Sequence, residues 1–159
     1  MGIAARDLRQ HVIRPTLLYL QRPSSTAESL LLGAAACQSA LGTALDCGRG
    51  HGLYRISDER HQQLWDQHLA HDPELASQVR GLASQHAFLA APHLELIVNL
   101  RYATAIAWML VESSILVMPA ADDLIGMAMI WRQVFRPDGS PREFIDAWQR
   151  HVADLSQVA

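Results

Sequence analysis

Residues 26–41, TAESLLLGAAACQSAL, constrain the fold more than any other stretch of this chain. They read as a helix that is apolar or small on every side, and such a helix belongs in the middle of a domain. Ser25 with Glu28 three residues later predicts a capping box at its start. Gly42 stands where a left-handed C-terminal cap falls. A helix buried all round needs apolar neighbours all round, and the remaining chain supplies them. Residues 4–20 place Leu8, Val12, Leu17 and Leu18 at helical spacing, with a break or kink at Pro15. Asp58 is expected to cap a helix to about His71, and Asp72-Pro73 to open another to about Phe88. Pro92 opens a helix with a broad stripe of Leu94, Ile97, Val98, Ala105, Trp108 and Met109. Asp122 or Asp123 caps a helix burying Leu124, Met127, Trp131, Val134 and Phe135. Ser140-Pro141-x-Glu143 is a second capping box, leading a last helix with Phe144, Ile145, Trp148, Val152 and Leu155.

Between the central helix and these later ones, residues 42–57 (GTALDCGRGHGLYRIS) break the helical pattern with four glycines. They predict an irregular loop or a small β-hairpin. The fold class expected is therefore mainly α: six or seven helices with a Gly-rich loop or small β-hairpin after the central buried helix, in a single domain over residues 1–159. No repeat, linker or low-complexity stretch interrupts this order.

Composition narrows the chemistry. The chain is 50% hydrophobic and 18% charged with formal net charge −3, and all 13 basic residues are Arg. Without lysine there is no Schiff-base amine and no Walker-type phosphate loop. A mildly acidic chain with no basic stripe is a poor match to nucleic acid. The N-terminal MGIAARDLRQH places charges where a signal peptide needs an apolar stretch. The longest apolar run, Tyr102 to Val111, is about half a membrane span and lies between Arg101 and Glu112. Synthesis in the cytoplasm without an export signal, and no membrane insertion, are the expectations. Cys37 and Cys47 are too far apart for a CxxC pair, and read as one buried and one loop thiol in a reducing compartment.

Two weak constellations compete with bland readings. His68, His71 and Asp72, with His61 two turns earlier, sit near a helix end, but no HExxH or His-Cys set accompanies them. A solvated helix end is the better reading, and no metal or cofactor is expected. His51 follows Cys47 closely within the Gly-rich segment, and a chance neighbour accounts for it better than a catalytic pair.

A stronger signal joins the central helix to the Gly-rich segment. The helix ends on Cys37-Gln38-Ser39, and the segment delivers Gly52-Leu53-Tyr54-Arg55-Ile56. This pattern resembles the active-site frame of the lysozyme-like superfamily, the goose-type lysozymes and lytic transglycosylases. There Glu-Ser closes a buried helix and Gly-Leu-x-Gln-Ile/Met follows at a small β-turn. Over nearly its whole length the chain is similar to small phage-encoded members. The shared residues include Ile13-Arg14-Pro15-Thr16-Leu17, Leu32-Gly33, Ala35-Ala36, His61, Leu64-Trp65, Asn99-Leu100-x-Tyr102-Ala103, Asp122-Asp123-Leu124 and Glu143-Phe144-Ile145.

Two departures decide what the resemblance implies. Gln38 stands at the position of the catalytic Glu, and an amide has the acid's shape without its proton. Arg55 replaces the loop glutamine with a permanent charge. Among substitutes, Glu28 is taken by its expected capping box, while Asp46 and Asp58 flank the loop. The resemblance assigns substrate contacts to Ser39, Tyr54, Arg55, Asn99 and Tyr102. Asn99 and Tyr102 are three apart and read as sharing one helix face, lining a sugar cleft or, equally, anchoring the core through the tyrosine. The expectation is a tail- or portal-associated virion protein on a peptidoglycan-hydrolase scaffold. It would be catalytically disabled and act in structure or glycan binding, with other virion proteins and glycan strands as partners and self-assembly open. The alternative is an active muramidase or lytic transglycosylase.

Overall fold

The computed structural model describes residues 2–153. Its axis is helix α3 (Ser25–Ser39), where Leu30, Leu31, Leu32, Ala34 and Ala35 are fully buried. The cap is Ser24 and not Ser25: the Ser24 hydroxyl accepts the Ala27 N–H at 3.1 Å. Glu28 forms no capping box either. Its carboxylate pairs with Arg14 at 2.8 Å, a full cation being a stronger partner than a backbone amide. At the other end Ala40 takes the left-handed conformation itself, at φ 48°, ahead of Leu41 at 57° and Gly42 at 83°. The cap thus falls two residues before the glycine expected to make it.

Helices surround α3. The N-terminal rod is α1 (Ala5–Leu8), a π-helical turn Arg9–Ile13 and α2 (Arg14–Tyr19). Pro15 has no N–H to give to the preceding turn, so the ladder widens there instead of breaking. Thr16 partly compensates by donating its hydroxyl to the Val12 carbonyl at 2.6 Å. After α3 comes a two-residue hairpin of β1 (Asp46–Cys47) and β2 (Gly50–His51), antiparallel with Asp46 opposite His51 and Cys47 opposite Gly50. Gly52, at φ 76°, presses on the Leu96 carbonyl so closely that a Cβ has no room.

Helix α4 (Asp58–Gln67) is capped by Ser57, which accepts from Arg60 N at 3.2 Å, and not by Asp58. A 3-10 turn, Leu69–His71, finishes it. Asp72 caps α5 (Pro73–Leu82) as expected, accepting from Leu75 N at 3.1 Å. The helix stops at Leu82, and Gln85–Ala90 forms a separate α6. The helix expected from Pro92 is also divided. A 3-10 turn Pro92–Leu94 and α7 (Glu95–Val98) meet α8 (Leu100–Ser114) at a bend of 108° on Asn99. Among the described residues no single helix is long and apolar enough to cross a membrane.

Asp123 caps α9 (Leu124–Val134), and the second capping box forms in full at α10 (Pro141–His151), with Glu143 accepting the Ser140 N–H at 2.6 Å. Leu155 and the Cys47 side chain lie outside the described residues. One continuous buried cluster joins α1 to α10.

A close contact joins α3 and α10. A Cβ on Gly33 would meet the Phe144 ring, which is fully buried between Trp131 and Trp148 at centroid distances of 6.1 and 6.4 Å. Gly33→Ala gains helix propensity worth about 1 kcal/mol but overpacks this contact by about 1–3 kcal/mol. The expected result in a denaturant melt is a net loss of stability, partly restored when Phe144→Leu is added. A more stable Gly33→Ala would contradict this packing.

Candidate functional site

The C-terminal turn of α3 opens onto a cleft of about 560 Å³. One wall is Ala36 to Ala40; Thr43, Ala44 and Arg55 form the lip, and Glu143, Asp146 and Arg150 of α10 form the opposite wall. Three of the site residues singled out in the sequence, Gln38, Ser39 and Arg55, meet here. Gln38 Nε2 donates to the Tyr54 carbonyl at 3.2 Å, and its Oε1 is buried without a partner. Arg55, left-handed at φ 55°, donates to the carbonyls of Gln38 at 3.3 Å and Ala44 at 2.5 Å. Its guanidinium therefore staples the hairpin to the end of α3.

Ser39 is buried and spends its hydroxyl on the fold. It donates to the Leu53 carbonyl at 2.7 Å and accepts the Gly42 N–H at 2.9 Å. Tyr54 is fully buried, with its hydroxyl 2.9 Å from Thr104 Oγ1, and burial holds its phenol well above the usual range. Cys37 lines the cleft, but burial, with the Glu143 charge second, pushes its thiol up to about 11. It is a protonated thiol at neutral pH and a poor nucleophile.

Asn99 and Tyr102 do not share a helix face. Asn99 is the N-cap of α8, with Oδ1 accepting from Tyr102 N at 3.0 Å, so the spacing of three is a capping relation. Its Nδ2 donates to the Leu82 carbonyl at 2.8 Å and to Glu95 at 2.9 Å. Glu95 is itself 1% exposed and leaves Oε1 without a partner. Tyr102 is fully buried away from the cleft.

Around Tyr102 the fold assembles a polar chain that sequence reasoning missed. Trp65 Nε1 donates to the Tyr102 hydroxyl at 2.9 Å, and His61 Nε2 lies 2.6 Å from the same oxygen. His61 Nδ1 is 2.9 Å from His93 Nδ1, which lies 3.8 Å from Asp58. Asp58 is 2.5 Å from His51 Nε2, and His51 Nδ1 is 3.3 Å from Asp46. Indole can only donate, which leaves the phenol proton for His61 Nε2 and an Nδ1–H on His61 for His93. The members come from the hairpin, α4, the Pro92 turn and α8, so no local spacing announces them. This array also holds Asp46 and Asp58 off the cleft. The metal reading of His68, His71 and Asp72 finds no support: among the described residues no group of three or more His, Cys, Asp or Glu is arranged to hold a metal ion.

Comparison with known proteins finds no match: no family model, no curated protein and no solved structure matches the chain.

Two predictions follow from the Tyr102 array. Tyr102→Phe removes the partner of both His61 Nε2 and Trp65 Nε1–H, for an expected loss of about 2–3 kcal/mol in a guanidinium melt. Burial, with the His93 ring second, holds His61 down to about 4 from its ordinary 6.5. The unfolded chain therefore takes up a proton that the folded chain refuses. Stability contributed by neutral His61 is complete above about pH 6.5 and is lost as the pH falls toward about 4, by at most about 3 kcal/mol. Melts of the protein and of His61→Gln across that range check this, the variant showing the shallower decline.

Proposed function

We propose that the protein is a phage virion component, tail- or portal-associated, on a lysozyme-like peptidoglycan-hydrolase scaffold, and that its cleft engages glycan without cleaving it. Gln38 is the observation that carries this reading. A carboxamide at the end of the buried helix faces the cleft with its N–H₂ on the Tyr54 carbonyl. Glycoside cleavage needs a carboxylic acid of raised pKa delivering a proton to the leaving oxygen, and an amide has no proton to deliver. Arg55 supports the reading further. Its cation stands beside Gln38, where it would depress the pKa of any carboxyl placed there, against what a general acid needs.

One observation favours the active alternative. Glu143 and Asp146 line the same cleft from α10. Glu143, however, is engaged by the Ser140 N–H.

Release of soluble fragments from purified sacculi separates the two readings. The protein as it stands is expected to sediment with sacculi and release nothing. Gln38→Glu with Arg55→Gln is expected to gain release by at least about 100-fold over background, the usual worth of general acid catalysis, and to exceed Gln38→Glu alone. Release by the unaltered protein that Glu143→Gln or Asp146→Asn abolishes would establish the active alternative. Neither sedimentation nor release in any form would overturn both readings. Mass spectrometry of purified virions tests the assembly assignment.

A further inference from the structure

We infer that the cavity between α4 and the last turn of α8 is a binding site for a small oxyanion, a carboxylate or phosphate group held by Arg60. The cavity has a volume of about 320 Å³ and lies apart from the cleft of Gln38. Leu64 and Leu110 line it together with Arg60, His68 and neutral polar side chains, and among the described residues no acidic one borders it.

Arg60 carries an unpartnered charge among the described residues. Six arginines among the described residues are partly buried, and five have partners. Arg9 donates to Ser29, Arg22 pairs with Glu112, and Arg55 binds backbone carbonyls. Arg80 donates to the Gln85 carbonyl and stacks on Phe88, while Arg136 pairs with Asp138. Arg60 makes no side-chain hydrogen bond or ion pair among the described residues. Burial alone lowers its pKa, with no neighbouring charge opposing the shift. A guanidinium stays charged regardless, so the fold holds a partly desolvated cation whose five donors meet no partner among the described residues.

His68 adds a second unsatisfied group, since its Nε2 is buried without a partner among the described residues, and His68 lines the same cavity. The planar fork of Arg60 matches two oxygens of a carboxylate or a phosphate, and the ligand restores the charge balance that the protein lacks there. At about 320 Å³ the cavity has room for an oxyanion with a small organic group attached.

Titration of the full chain with inorganic phosphate and, separately, with acetate tests this, at ionic strength held constant with chloride. Saturable amide shifts on residues 60–68 and 110–114 in heteronuclear NMR are expected. They are accompanied by a rise in Tm of about 3 °C at ten times Kd. Arg60→Lys should weaken binding several-fold, and Arg60→Gln should abolish it. Tighter phosphate binding assigns the site to a phosphoryl ligand, and tighter acetate binding to a carboxylate. Shifts that fail to saturate, that map to Arg55 or Arg22, or that persist unchanged in a folded Arg60→Gln variant would overturn the proposal. The NMR map on the unaltered protein decides the matter even if the variants do not fold.

Discussion

Burying most of α3 is the constraint on which the rest of this structure depends. A helix that is leucine, alanine and glycine through its middle turns leaves little surface for solvent, so the elements packed on it must present apolar surfaces. The Gly33–Phe144 contact shows how closely this is met. With no Cβ at residue 33, the α10 ring lies directly on the α3 backbone, wedged between two tryptophans. Because α10 is held there, its Glu143, Asp146 and Arg150 face the end of α3 across the cleft. The same packing that stabilises the domain therefore builds the candidate site.

The end of α3 carries a second device. Three consecutive left-handed residues, Ala40 to Gly42, turn the chain sharply, and Ser39 and Arg55 tie the following hairpin back to the helix. Backbone carbonyls that would otherwise be orphaned are met by side chains, as buried polar groups require. Tyr54, expected to touch a ligand, serves this closure instead, while Gln38, Ser39 and Arg55 do both: they satisfy backbone carbonyls and line the cleft.

Much of the helical order was legible in the sequence because it is local. Capping residues act on amides two or three positions away, so Asp72, Asp123 and the Ser140–Glu143 box act as their spacing predicts. Where expectations shifted, a partner distant in sequence had intervened. Glu28 left its cap for Arg14, and Asp58 yielded its cap to Ser57 and lies against His51. Asn99 cut one expected helix in two because its side chain caps α8 while also binding Leu82 and Glu95.

By itself the sequence determined that this chain is mainly helical, with a buried central helix and a Gly-rich loop or small hairpin after it. Periodicity, capping and side-chain chemistry are properties of short segments, and they survive being read in isolation. Only the tertiary structure decided which polar groups meet. The chain from Asp46 through His51, Asp58, His93 and His61 to Tyr102 spans four elements, and Arg60 stands out only once each other partly buried arginine is seen to hold a partner. Long-range contacts carry no local signature, so their chemistry appears only when the fold has brought the residues together.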